Sequence, residues 1–254
     1  MKKLPISLVM ITKNSAETLE RSLNSIKDLV SEIIIVDSHS KDRTQDVARK
    51  FTANVYFHNY RGEGEQRKIA IAKARQEWIL ILDSDEVVSP ALRQEIRQKL
   101  SVAQRQSGFT IPFQNHFLGR EIRHGGENYK KIRLFRRNSK DIHLNDLLVH
   151  AELKGDKKTI GLMRNKILHY SYRSLAQMCK KFSDYAWREA KGKRRQGERT
   201  SIKKIVSYPL HMFWARFVED KGYQDGFFRI PLDLGFAYME FLTYFLMLFI
   251  KKNK

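Results

Sequence analysis

Trp78-Ile79-Leu80-Ile81-Leu82-Asp83-Ser84-Asp85 decides the fold, because an apolar run short enough for a buried strand stops at two carboxylates spaced one residue apart. Such a pair at the carboxyl end of a strand suits a hard divalent cation that carries a diphosphate. Asp-x-Asp alone is a common loop sequence, so its meaning depends on what flanks it.

Upstream, strand-like and helix-like segments alternate. Residues 6–11 (ISLVMI) are almost all apolar, as a strand covered on both faces requires. Asn14 reads as a helix cap, with Glu17 three residues on and Leu19, Leu23 and Ile26 along one helical face. Residues 32–36 (EIIIV) form a second strand that ends in Asp37 and a polar loop, after which Thr44 starts a helix turning Val47, Ala48 and Phe51 inward. A weaker strand at 55–57 and a loop with Gly62 and Gly64 lead to a helix bearing Gln66, Arg67 and Lys68. Ser89-Pro90 is a cap followed by a first-turn proline.

This order predicts an α/β domain with a Rossmann-like, mostly parallel sheet flanked by helices. Asp37 and Asp85 fall at the carboxyl ends of strands read as neighbours, and right-handed crossovers put those ends on one rim, where open sheets bind ligands. Asp37 alone is equally a turn residue bonded to its own backbone. Together with Asp85 it points to a nucleotide site.

The 254 residues, 42% of them hydrophobic, suffice for one large domain or a domain with an appendage. A net charge of +20 implies a polyanionic partner: nucleic acid, anionic lipid or phosphorylated glycolipid. Neither zinc-finger spacing nor an aromatic RNA-recognition motif is found, so nucleic acid is not the expected partner. The single cysteine, Cys179, excludes an internal disulfide, agrees with a reducing cytoplasm and reads as a small core residue of a helix. Met1-Lys2-Lys3 and the short apolar run after it lack the length of a signal peptide, so no export is expected.

Residues 109–111, 132–135 and 147–149 are strand-like, and 124–128 reads as a surface loop. Arg133, Arg136 and Arg137 flank an apolar strand and either bind phosphate or decorate an edge. From Ser174, residues Leu175, Met178, Phe182, Tyr185 and Ala186 share one helical face, and a basic tail follows at 191–195. Residues 205–214 are apolar and aromatic, and 230–250 has the length of a bilayer span. Asp233 and Glu240 lie inside it, however, and an acid near a bilayer centre costs about 3 kcal/mol on insertion scales. The expectation is two helices lying in the headgroup region with Lys203, Lys204, Lys251 and Lys252 near anionic lipid, a dimer interface being the competing reading. The chain thus divides into an α/β domain, 1–170, and an amphipathic helical appendage, 171–254.

Four blocks, Ser7-Leu8-Val9-Met10-Ile11-Thr12-Lys13-Asn14, Ile35-Val36-Asp37-Ser38-His39-Ser40-Lys41-Asp42-Arg43-Thr44, Gly62-Glu63-Gly64-Glu65-Gln66-Arg67 and Leu82-Asp83-Ser84-Asp85-Glu86, resemble in order those of the family 2 glycosyltransferases with the GT-A fold. The likeness is to the branch that builds the inner core of bacterial lipopolysaccharide or lipooligosaccharide. It continues in Phe117-Leu118-Gly119-Arg120, Arg133-Leu134-Phe135-Arg136-Arg137, Leu148-Val149-His150 and Asp225-Gly226.

The resemblance implies a β-1,4-glucosyltransferase using a UDP-sugar donor, UDP-glucose, with Mg2+ or Mn2+. Its acceptor would be an anionic glycolipid, through a heptose of the inner core, at the cytoplasmic face of the inner membrane. It puts the metal on Asp85 and Asp83, with Asp83 also near the ribose, and places Thr12, Lys13, Asp37, Gln66 and Arg67 on the donor, the uracil on Asp37. Relatives carry a Glu directly after the histidine of a Val-His-Glu motif, whereas here Ala151 intervenes before Glu152. A one-residue shift on a strand turns a side chain to the other face. Glu152, Asp146 and His150 therefore stand as candidates for the general base of an inverting transfer, His150 also as a metal ligand. Transfer to a polyprenyl phosphate is the alternative that keeps the same donor site. A nucleotidyltransferase would need a glycine- and lysine-rich phosphate loop near the amino end, which is missing.

Overall fold

The computed structural model describes residues 2–103, 105–127, 129–144 and 152–250. The chain runs β1 (Leu4–Thr12), α1 (Ala16–Asn24), β2 (Val30–Asp37), α2 (Thr44–Arg49), β3 (Val55–Phe57), α3 (Glu63–Ala72), β4 (Trp78–Ile81), β5 (Glu86–Val88) and α4 (Pro90–Val102). It continues through β6 (Gly108–Phe117), β7 (Arg120–Glu121), β8 (Lys130–Arg136), β9 (Ile142–Leu144), β10 (Leu153–Gly155), β11 (Ile160–Leu162) and β12 (Ile167–Tyr172). Three long helices close it: α5 (Leu175–Arg195), α6 (Ile202–Trp214) and α7 (Ile230–Leu246). Contacts group these into two compact units, Met1–Phe113 with Tyr129–His169, and Gln114–Asn128 with Tyr170–Lys254.

In the first unit the main sheet follows the order β3-β2-β1-β4-β8-β6-β12-β5. β1 pairs in parallel with β2 and β4, and β8 runs antiparallel to β4. The apolar strands are buried on both faces, and their side chains alternate between two cores. Leu8, Met10, Ile35 and Leu80 face one, whereas Val9, Ile34, Val36, Ile79 and Ile81 face the other. Because β1 stands between β2 and β4, the strands that lead to Asp37 and Asp85 are next-but-one, not adjacent as expected, though parallel pairing keeps their carboxyl ends on one rim.

Ser89 caps α4 as expected, its Oγ accepting from Leu92 N. Asn14 caps nothing. Its backbone is left-handed, with φ of 50°, and its Oδ1 accepts from Lys41 N at 2.8 Å, so it joins the loops after β1 and β2 instead. The strand expected at 147–149 lies outside the described residues.

Glu32 shows how this unit accommodates a buried charge. Burial pushes its carboxyl up, but hydrogen bonds from Ser7 Oγ and from the Arg75 amide and guanidinium outweigh that and hold it below its ordinary value of 4.5. Glu32→Gln is expected to cost about 1–3 kcal/mol near neutral pH in urea unfolding, with solvent screening the exposed Arg75 side of the pair. A depressed folded-state pKa gives stability that is present above 4.5 and is lost as pH falls through the folded value, so wild type and variant should converge in acid.

The second unit includes residues 114–128, which the sequence division had put with the α/β domain. The reason is Arg229, which is fully buried and donates to the carbonyls of His124 and Gly125 while pairing with Asp225 and Asp233. Gly125 is left-handed, and a Cβ there would overlap that guanidinium. Asp225 in turn accepts from the amides of Arg123 and His124, so the expected surface loop is tied down at its amino-terminal edge. On α5 the buried face is Met178, Phe182, Ala186 and Ala190. Cys179, expected in the core, is exposed, since one residue past Met178 the helix has turned by about 100°.

Candidate active site

The rim of the first unit is organised by two carboxylate clusters. Asp37 ends β2 directly opposite Thr12 of β1, and both are buried. Its Oδ2 accepts from Thr12 Oγ1 at 2.9 Å and from Ser40 Oγ at 2.5 Å. Its Oδ1 accepts from Ser40 N at 2.8 Å and from Gln45 Nε2 at 3.3 Å. These bonds use the acceptor capacity of a carboxylate and fix the loop after β2. Beside them a cleft of about 490 Å³ is lined by Lys13, Asn14, Ser38, His39, Lys41, Asn59 and Tyr60. Lys13 Nζ stands 5.7 Å from the centre of the Tyr60 ring, so the cleft offers an aromatic face and a cation together.

Gln66 is fully buried, and its Nε2 donates to the carbonyls of His58 and Asn59 at 3.1 and 3.0 Å. It shapes the loop that carries Asn59 and Tyr60 and reaches the cleft through that loop.

The second cluster lies beyond β4. Asp83 is gripped by Arg67 Nη2 at 3.0 and 3.1 Å and by Arg133 Nη2 at 3.1 Å. Arg133 also donates to the buried Glu86, whose other oxygen accepts from Asp83 N at 2.9 Å. Burial alone would raise Asp83. The Arg67 and then the Arg133 guanidinium overcome it and hold the carboxyl far below the usual range. Glu86 goes the other way, pushed up by burial to about 7 despite Arg133.

Asp85 has a different neighbour. Its Oδ1 lies 3.5 Å from His169 Nε2, and the other ring nitrogen of that histidine is 3.1 Å from the Tyr129 hydroxyl. The juxtaposition comes from β12 pairing antiparallel with β5, which sets His169 opposite Glu86. Sequence reasoning missed His169, and its only local signal is a histidine inside an aromatic strand.

A carboxylate and an imidazole oriented by a hydroxyl form a donor set for a divalent cation. Among the described residues no group of three or more such side chains is placed to hold a metal. A two-residue site accordingly suits an ion whose remaining ligands are diphosphate and water.

Glu152 and Lys131 pair at 3.0 Å and line a cavity of about 240 Å³ with Arg67, Lys130, Arg133 and Leu153. Glu152 thus shares a cavity with both arginines of the Asp83 cluster. Asp146, His150 and Ala151 lie outside the described residues. Arg136, a phosphate candidate by sequence, instead donates to the carbonyls of Gln106 and Ala103 and stacks over Trp78.

The family model described as glycosyl transferase family 2 matches residues 7–150. An uncharacterized glycosyltransferase of Rickettsia bellii is 28% identical over 251 residues, covering 93% of this chain and 84% of its own. The lipopolysaccharide core biosynthesis glycosyltransferase LpsC of Rhizobium meliloti is 22% identical over 249 residues, covering 95% of this chain and 88% of its own. Among solved structures, S. aureus TarS 1–349 in complex with UDP-GlcNAc aligns with a TM-score of 0.54 at 13% identity, over 95% of this chain and 89% of that one, which shows a shared GT-A fold.

Proposed function

The chain belongs to glycosyl transferase family 2, and from that premise we propose that it moves a hexose, glucose, from a UDP-sugar to a heptose of the lipopolysaccharide or lipooligosaccharide inner core, with inversion at the anomeric carbon. The observation that carries this reading is the pair of carboxylate clusters on one rim, one beside an aromatic and cationic cleft and the other held by two arginines. The relationship to LpsC supports the acceptor class.

Uracil enters the cleft walled by Lys13, His39 and Tyr60. A base N–H reaches Asp37 by taking the place of its longest contact, the one from Gln45, while Thr12 keeps the carboxylate aimed. Arg67 and Arg133 hold Asp83 ionised toward the ribose. Asp85 and His169 would hold Mg2+ or Mn2+. The ion would supply charge neutralisation on the departing diphosphate. Glu152 takes the proton of the acceptor hydroxyl, with Lys131 Nζ 3.0 Å from its carboxylate. The excess of cations suits an acceptor that carries carboxylates and phosphates at the cytoplasmic face of the inner membrane.

The test is a screen of UDP-sugars for hydrolysis and thermal shift with Mn2+ or Mg2+, followed by mass analysis of lipooligosaccharide from cells lacking the protein. Loss of one core hexose is the expected result, and an unchanged glycan would count against this acceptor. Glu152→Gln should lower kcat by about 10²-fold with KM for the donor unchanged, as removal of a general base does. Wild-type kcat in that variant would move the role to another residue.

A further inference from the structure

Helix α6 is rich in apolar residues, yet not one of its residues is buried. It packs against α7 through Tyr208, whose ring meets that of Tyr244 edge-on at 4.9 Å. The residues left in the open are Ile202, Val206, Leu210 and Trp214, with Ile202 81% and Leu210 67% exposed. They recur every fourth position and so form one stripe along the helix. On α7 and just past its end, Phe241, Phe245 and Phe249 make a second exposed row, in which Phe241 stacks on Phe245 at 5.6 Å and Phe245 meets Phe249 edge-on at 5.3 Å. Rows of exposed apolar side chains of this kind mark a docking site.

The charges around these stripes say what docks. Lys193 pairs with Glu189 and Glu198, at 3.5 and 3.6 Å, and Lys204 with Glu198 at 2.8 Å. Arg195 and Arg199 make no ion pair among the described residues. Arg199 precedes the α6 stripe directly and, with Arg194 and Thr200, lines a cavity of about 410 Å³ whose far wall is Met247 and Leu248. A cationic hollow with an apolar wall, at the end of an apolar stripe, matches a phosphate headgroup with its acyl chain alongside. A second copy of the chain would bring an equally cationic patch into the same interface, because an isologous contact uses one surface on both partners. No helix among the described residues is long and apolar enough to cross a membrane. Asp233, which weighed against burial of 230–250 in lipid, is enclosed between Arg216 and Arg229 and does not oppose docking.

We propose that the exposed stripes of α6 and α7 lie in the headgroup region of an anionic bilayer, with the Arg194–Arg199 cavity receiving a lipid phosphate. This deepens the membrane setting of the acceptor and does not depend on the donor site. The test is co-sedimentation of the full chain with vesicles of phosphatidylcholine alone or with about a third phosphatidylglycerol, enough to give an anionic surface. Binding should require the anionic lipid and weaken with salt.

The double variant Val206→Glu/Leu210→Glu should lose at least about tenfold in partitioning, and Arg199→Glu at least about fivefold on anionic vesicles, given roughly 1 kcal/mol for each cation near the surface. Arg199 is exposed, so this second variant tests the charge without endangering the fold. Unchanged melting temperature and UDP binding in both variants separate lost docking from lost folding or a wrong donor assignment. Indifference of the wild type to anionic vesicles, or equal binding by the variants, would overturn the proposal. So would a lipid-free dimer that the double variant dissociates while vesicle binding persists, which would make a second copy the occupant.

Discussion

Asp85→Ala is expected to lower sugar transfer by about 10³-fold or more, several kcal/mol of transition-state stabilisation, while the free energy of unfolding stays within about 1 kcal/mol of wild type. The two halves of this expectation have separate causes. Asp85 keeps 23% of its side chain in solvent and lies 3.5 Å from His169 Nε2, so water can take the place of its carboxylate beside the ring. The metal-holding role proposed for it has no substitute, because the other carboxylate of the Asp-x-Asp pair is already held by Arg67 and Arg133. Turnover of UDP-sugar, together with calorimetry of UDP uptake in manganese, checks both halves. Wild-type turnover in the variant would remove the metal from Asp85. A large drop in stability would mean that Asp85 is structural.

Arg133→Met should show the opposite pattern, with stability falling by about 3–5 kcal/mol, as expected when one partner of a buried charge cluster is lost. Arg133 is buried, and it bridges Asp83 at 3.1 Å and Glu86 at 2.5 Å while lying over the Phe113 ring. Methionine keeps much of the aliphatic packing and removes the charge, which leaves Glu86 without its cation. The diagnostic is the double variant Arg133→Met/Glu86→Gln, which should recover part of the loss because the stranded carboxylate is gone. Urea midpoints at constant m-value measure this. A double variant as unstable as the single one would show that packing, not charge, is what Arg133 supplies.

Much of the first unit was legible because its signals are local. The apolar runs at 6–11, 32–36 and 78–82 can be buried on both faces only in a sheet covered on two sides. The cap at Ser89-Pro90 needs only its own turn. Local reading failed where a side chain's partner lies far along the chain. Asn14 looks like a cap until Lys41 N claims its side-chain oxygen, and Arg133 looks like a phosphate or edge residue until Asp83 and Glu86 enclose it. Residues 124–128 look like a surface loop until Arg229 holds the carbonyls of His124 and Gly125. Each miss is a charge or hydrogen bond satisfied over a long sequence separation, which no window of sequence contains.

The sequence by itself determined the strand and helix alternation, the placing of Asp37 and Asp85 at strand ends and the cationic excess, since these follow from periodicity, turn chemistry and composition. Only the tertiary structure decided that Asp83 is clamped by two guanidiniums, that His169 stands beside Asp85 and that α6 is left with no buried residue. The physical reason is that carboxylates and imidazoles take their roles from whatever strand pairing brings within a few ångströms. The antiparallel register of β12 on β5, which sets His169 at the site, is fixed by packing across the sheet and is written in no single segment.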